Sequence, residues 1–251
     1  MRVLLRQGDQ GTPDGCRRRR PCASGRSPGV NAVIAERQAV SPILQESPVV
    51  AVLRARTASE YRPVIEALLE GGVRSIELTL STGGVFDVLQ DLVEGYQEAE
   101  IGVGTITTVE QAREALDQGA RFLVTPVTDL AVIELAASRG VPAYPGGLTP
   151  TELHAGWAAG ASAVKLFPAS AVGPGYISQL RGPFPDMQVL PSGGIDLADI
   201  DAWISAGAVA VSVGGPLVQD AFAGGDLKDL TARATLASQR ARDARQRQGA
   251  S

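Results

Sequence analysis

Cysteine, histidine and lysine are nearly missing from this chain of 251 residues, which has two Cys, one His and, among 23 basic residues, only Lys165 and Lys228 as lysines. An ordinary zinc site needs three or four His, Cys or carboxylate ligands that converge. Cys16, Cys22 and His154 cannot build one, so chemistry that depends on a His-rich metal site is excluded. His154 stands in TPTELHAGW, the opening of a helix, and reads as a surface or half-buried structural residue. Long apolar runs are missing too, and nothing approaches the ~20 residues that a membrane span requires. The N-terminal stretch MRVLLRQGDQGTPDG breaks off too early to supply the apolar centre of a signal peptide. A soluble, cytoplasmic protein with no membrane partner is expected.

What is present is globular composition, 44% hydrophobic and 20% charged. The length suits one domain with a full core. The net charge of −4 is unevenly spread, because seven arginines against Asp9 and Asp14 give the first 30 residues a surplus of +5, leaving −9 for the other 221. An acidic body argues against nucleic acid as a partner. The run Arg17 to Arg20 lies among Gly, Pro and Ser without apolar periodicity, so residues 1–40 read as a disordered extension.

From about residue 48, short apolar and β-branched runs alternate with stretches of helical periodicity. The strand candidates span residues 48–54, 73–80, 100–106, 121–126, 141–146, 162–168, 187–194 and 208–215. Helix starts are marked by Ser59, Thr108 and Asp196, each followed by apolar positions at three-four spacing and closed by glycine. Eight βα units predict an α/β protein, a (β/α)8 TIM barrel over residues 41–225, with an open doubly wound sheet as the alternative. SPILQES ahead of the first strand reads as a short helix with Pro42 in its first turn. Residues 226–251 read as a long helix that frays into a charged tail, either packed on the barrel or extended into solvent.

Barrel active sites lie at the C-terminal ends of the strands. The positions there are Arg54, Glu77, Thr105, Thr125 with Pro126, Pro145 with Gly146 and Gly147, Lys165, Ser192 with Gly193 and Gly194, and Gly214 with Gly215. Lys165 is the sharpest signal. Where arginine supplies nearly every positive charge, a lysine within Ala163–Pro168 offers something arginine cannot, because a guanidinium stays protonated and forms no imine. An amine desolvated in an apolar strand loses part of its proton affinity and becomes a nucleophile. Glu77, inside Ile76-Glu77-Leu78-Thr79, is the natural acid/base partner, since burial brings a carboxylate toward the working pH. The competing interpretation is a structural ion pair between Glu77 and Lys165 or Arg54. The two glycine pairs after the seventh and eighth strands suit backbone amides that hold a phosphate.

Taken together, VVAVLRA, GGVRSIELTL, IGVGTITTVEQ, FLVTP, YPGGLTPTEL, VKLFPASAVGPGYI, GPFPDMQVLPSGG and AVSVGGPLV, from about residue 48 to 222, resemble the bacterial 2-keto-3-deoxy-6-phosphogluconate aldolases. Many of these also act on 4-hydroxy-2-oxoglutarate. The resemblance implies that Lys165, in a KxFP element, forms the Schiff base and that Glu77 is the acid/base. It implies that Thr105, in GxGT, binds the carboxylate of a 2-keto acid substrate. It also suggests a homotrimer, and the imine chemistry that follows would set Phe167 and Leu166 as the site wall and require no metal or organic cofactor. Two departures stand out. Ser81 occupies a position where some members carry arginine, which shifts that role to Arg54; and Pro216, lacking an N–H, replaces a phosphate-binding serine after Gly215. Unphosphorylated 4-hydroxy-2-oxoglutarate is then a serious competing substrate. The rival readings are a phosphosugar-binding barrel isomerase or synthase without imine chemistry, and a relative that binds a keto acid without turning it over.

Overall fold

The computed structural model describes residues 37–249; the expectations for residues 1–36 of the arginine-rich extension, Cys16 and Cys22 included, lie outside the described residues, whereas Arg37 and Val40 pack on the body. The chain enters through a short helix, α1 (Pro42–Glu46), with Ser41 as its cap: the Ser41 hydroxyl accepts from the Leu44 amide at 3.0 Å. Strands and helices then alternate as β1 (Val49–Leu53), α2 (Tyr61–Glu70), β2 (Ser75–Thr79), α3 (Val85–Gly95), β3 (Glu100–Gly104), α4 (Val109–Asp117), β4 (Leu123–Val124), α5 (Leu130–Ser138), β5 (Ala143–Tyr144) and β6 (Gly146–Gly147). They continue as α6 (Pro150–Ala158), β7 (Val164–Leu166), α7 (Gly175–Arg181), β8 (Val189–Pro191), α8 (Ile200–Ser205), β9 (Val211–Val213), α9 (Gly215–Val218) and α10 (Leu227–Gly249).

Every expected strand is present, each shorter than its apolar run. The fifth run becomes two strands because Pro145 has no N–H to give to a ladder. It changes partner there: β5 pairs with β4, while β6 pairs with β7. Thr108 caps α4 as expected, accepting from the Gln111 amide at 3.2 Å. Ser59 does not cap α2; it lies inside a 3-10 turn, Ala58–Glu60, with Thr57 in the cap position. Asp196 likewise caps a 3-10 turn, Leu197–Asp199, that leads into α8.

All ladders are parallel, but they form two sheets, in the orders β5-β4-β3-β2-β1-β9 and β6-β7-β8, rather than one continuous eight-stranded ring. Successive side chains point to opposite faces. One face packs residues such as Ile76, Leu78, Val164 and Leu166 against Val64, Leu68 and Leu89 of the helices. The other face brings Val50, Phe122, Val124, Tyr144, Ala163, Leu190 and Ala210 from both sheets into one cluster, with Leu44 of α1 and Val40 at its N-terminal end. Toward the C-terminal ends of the strands this same face turns polar. The last helix packs on the body, burying Leu230, Ala234, Ala237, Ala241 and Ala244, and it remains helical to Gly249. His154 is exposed and stacks on Phe184 with ring centroids 4.9 Å apart. No helix among the described residues is long and apolar enough to cross a membrane.

Candidate active site

The polar end of that shared face opens into a cavity of about 400 Å³, within the range usual for small-molecule sites. Arg54, Glu77, Thr105, Pro126, Lys165, Phe167, Ser192, Gly193, Gly194, Gly214 and Gly215 all line it, whereas Thr125, Pro145, Gly146 and Gly147, also at strand ends, are not in its wall. Lys165 sits in β7 between Gly146 of β6 and Leu190 of β8. Its neighbours Val164 and Leu166 point to the helix-covered face and are fully buried, so Leu166 is no part of the site wall and the lysine side chain is left on the cavity face, 7% exposed. The ammonium lies 5.3 Å from the Phe167 ring centroid.

Glu77, 1% exposed, lies in β2 between Val52 of β1 and Gly102 of β3. Its carboxylate occupies the space over Gly104, where an added Cβ would stand 1.9 Å from Oε1. Glycine at 104 is therefore what allows the acid to lie flat across the neighbouring strand. Lys165 Nζ and Glu77 Oε1 are 3.9 Å apart, and Glu77 Oε2 is buried without a hydrogen-bond partner among the described residues. A charge-assisted hydrogen bond would be about 2.7–2.9 Å long. Two desolvated charges held for structural reasons need that close geometry to offset the cost of their burial. This pair is instead loose, incompletely bonded and open to a cavity, so a reacting group can approach amine and carboxylate from the same side.

The rest of the wall is built around them. Thr105, just after β3, has φ 60°, a left-handed backbone that a β-branched residue adopts only under constraint, and such strain gathers at functional sites. Arg54 donates through Nε to the Ser81 hydroxyl at 3.0 Å, and Ser81 in turn lies 2.9 Å from the Thr79 hydroxyl. The arginine from β1 thus reaches the position after β2 where the sequence has serine. On the far side, Gly193 and Gly194 have φ 87° and 72°, and Cβ atoms there would meet Phe167 at 2.9 Å and Ser170 at 2.6 Å. At Gly215 an added Cβ would meet nothing within 4 Å, so this glycine borders open space. Pro216, already noted as a departure after Gly215, lines the cavity too, and the sequence reading did not single out Val52, Ile195 or Ser212, which also line it. Ser212 is the notable omission, a buried hydroxyl with no partner among the described residues. Its signal was the alternation in AVAVSVGG, which sets Ser212 on the same face as Ala210 and Gly214.

Fold and site together define a class of protein: an α/β enzyme scaffold of parallel strands that presents a buried amine and a carboxylate to a cavity at the strand ends. Comparison with known proteins makes the class specific. Residues 40–232 match the family model described as KDPG and KHG aldolase. A probable 2-dehydro-3-deoxy-6-phosphogalactonate aldolase of Rhizobium meliloti is 35% identical over 195 residues, 77% of this chain and 92% of that protein. The KHG/KDPG aldolase of Escherichia coli is 32% identical over 191 residues, 75% of this chain and 90% of its own. Among solved structures, KDPG aldolase from Legionella pneumophila, with pyruvate captured at low pH as a covalent carbinolamine intermediate, superposes with a TM-score of 0.72 at 27% identity, covering 78% of this chain and 96% of that one. The chain belongs to the KDPG and KHG aldolase family.

Proposed function

We propose that this protein is a class I aldolase that cleaves 2-keto-3-deoxy-6-phosphogluconate or a close 2-keto acid, 4-hydroxy-2-oxoglutarate included, to pyruvate and an aldehyde. The observation that carries the reading is the Lys165–Glu77 pair, 3.9 Å apart and facing a cavity. In the proposed sequence the neutral amine of Lys165 attacks the C2 ketone to form a carbinolamine, and loss of water leaves a protonated imine. Glu77, directly or through one water, takes the proton of the C4 hydroxyl. The C3–C4 bond then breaks, its electron pair passes into the enamine, and the aldehyde leaves. Glu77 returns the proton to C3, and hydrolysis of the imine releases pyruvate and the free amine. The carbinolamine of the Legionella relative is the first covalent species in this order.

Thr105 and Arg54 are assigned to the substrate's anionic groups, Thr105 to the pyruvate carboxylate. Phe167, Pro126 and Ser192 wall the reacting end. The backbone amides at Gly193, Gly194, Gly214 and Gly215 are assigned to a distal phosphate, with Pro216 unable to add an N–H. We propose further that the two sheets close into a (β/α)8 barrel. One seam is spanned by Pro145; the other by the Ser192–Ser212 bridge and the Val209 amide, which donates to the Val189 carbonyl at 2.9 Å. The organisation that goes with it is an extension over residues 1–40, a barrel over 41–225 and a terminal helix, in a cytoplasmic homotrimer.

The test is borohydride reduction in the presence of pyruvate, followed by intact mass measurement. An adduct that forms in the native chain and is missing in Lys165→Arg is the expected result. No adduct in the native chain removes the imine and favours the phosphosugar isomerase or synthase reading.

A further inference from the structure

A second cavity, of about 360 Å³, lies at the opposite, N-terminal ends of the strands, where Arg37, Gln45, Trp157, Ser162, Gln188 and Arg245 line it. It brings two half-buried guanidiniums together in a body whose net charge is negative. Arg37 lies 3.5 Å over the Trp157 ring and donates to the carbonyls of Trp157, at 2.8 Å, and Ala161. Arg245 donates to the carbonyls of Gln45, at 3.3 Å, and Val209. Neither forms an ion pair with a carboxylate among the described residues. Carbonyl oxygens orient a guanidinium but do not neutralise it, and those contacts occupy only part of its five N–H donors. Burial lowers the proton affinity of both arginines. The third feature is independent of the first two: the Ser162 hydroxyl, in a residue only 3% exposed, lines this cavity with no hydrogen-bond partner among the described residues. Buried hydroxyls are normally bonded. A cavity with spare cationic forks, a stranded hydroxyl and no carboxylate in its wall among the described residues is complementary to an oxyanion, which arginine binds through paired N–H groups.

We infer that this N-terminal cavity is a second binding site, which takes a small oxyanion between Arg37 and Arg245 with the Ser162 hydroxyl as an additional donor. The ligand class is a small carboxylate or phosphate ester, and the site is separate from the Lys165 cavity. The other reading is that the arginines only pin the end of α6 and the side of α10, a role in which Ser162 has no part.

The experiment is calorimetric titration of the full-length chain at constant ionic strength with inorganic phosphate and, separately, succinate. Four proteins are compared: native, Arg245→Gln, Ser162→Ala and Arg54→Gln. Saturable binding of at least one anion is expected. It should weaken about tenfold or more in Arg245→Gln, since a charged donor is lost, and about threefold in Ser162→Ala. It should survive in Arg54→Gln, which alters only the C-terminal mouth. Tighter phosphate than succinate points to a phosphate ester as the natural ligand, and the reverse to a carboxylate. Arg245→Gln can also loosen α10; Ser162→Ala removes no existing bond, and an unchanged Tm shows that its effect is on the site. The inference fails if neither anion binds, if Ser162→Ala binds as the native chain does, or if binding is lost only in Arg54→Gln.

Discussion

Two carboxylates on neighbouring strands, Glu77 of β2 and Glu100 of β3, are almost equally buried, at 1% and 4% exposure, yet they sit in opposite kinds of place. Glu100 lies at the N-terminal end beneath α1. It accepts a short hydrogen bond from the Ser75 hydroxyl, burial raises its pKa, and hydroxyl bonds from Ser75 and Ser41 partly oppose that rise. Among the described residues its surroundings supply hydroxyls and no ion-pair partner, which suits a carboxyl that can stay neutral and closed off. Glu77 instead faces Lys165 across 3.9 Å, keeps one oxygen without a partner and borders the cavity. Burial alone therefore does not mark a reacting acid. What separates the two is whether the polar capacity of the group has already been used up inside the protein.

The largest expected effect is at the amine. Lys165→Met should lower cleavage by about three orders of magnitude or more, since covalent catalysis is lost outright, and the pyruvate adduct should vanish from the mass spectrum. Next comes Glu77→Gln, for which turnover should fall about 10²- to 10⁴-fold, the range of general acid–base contributions, while imine trapping persists. Equal loss of both would make Glu77 a structural partner like Glu100 and erase the contrast. Gly104→Ala is the sharper version: its methyl would fall on Glu77 Oε1, so turnover should drop about 10²-fold through misplacement of the acid, again with the adduct retained.

On the Glu100 side the readout is stability instead of rate. Ser75→Ala should cost about 1–3 kcal/mol in denaturant unfolding, because a buried carboxyl loses a partner, with kcat unchanged. The smallest effect is in pH dependence. A folded chain that holds the Glu100 proton more tightly than the unfolded chain loses stability as pH rises from about 4.3, the unfolded value, through the raised folded one. Glu100→Gln should flatten that part of a plot of Tm against pH, and a profile identical to the native one would remove Glu100 as its source.

Much of the site was legible because its signals are local. A lysine among aliphatic residues in an arginine-dominated chain, a glutamate inside a strand and paired glycines after strands each announce themselves within a few residues. Ser212 escaped notice because a serine in a strand has many ordinary explanations, and only its neighbours across β8 and β9 show that its hydroxyl is stranded at the cavity. The strand break at Pro145 was readable in principle from the missing N–H, but the change of partner from β4 to β7 depends on how the sheets meet. The packing of α10 was undecided because an alanine-rich, charged helix has only a weak apolar stripe. Close contact with α2 and α8 settles it.

The amino-acid order determined by itself the alternation of strand and helix, the face on which each strand residue stands and the lysine set within an apolar strand, because period-two geometry and functional-group chemistry act over a few residues. Only the tertiary structure decided that Glu77 meets Lys165, that Arg54 reaches Ser81 and that Glu100 is sealed among hydroxyls, because those pairings depend on the register between strands far apart in the chain.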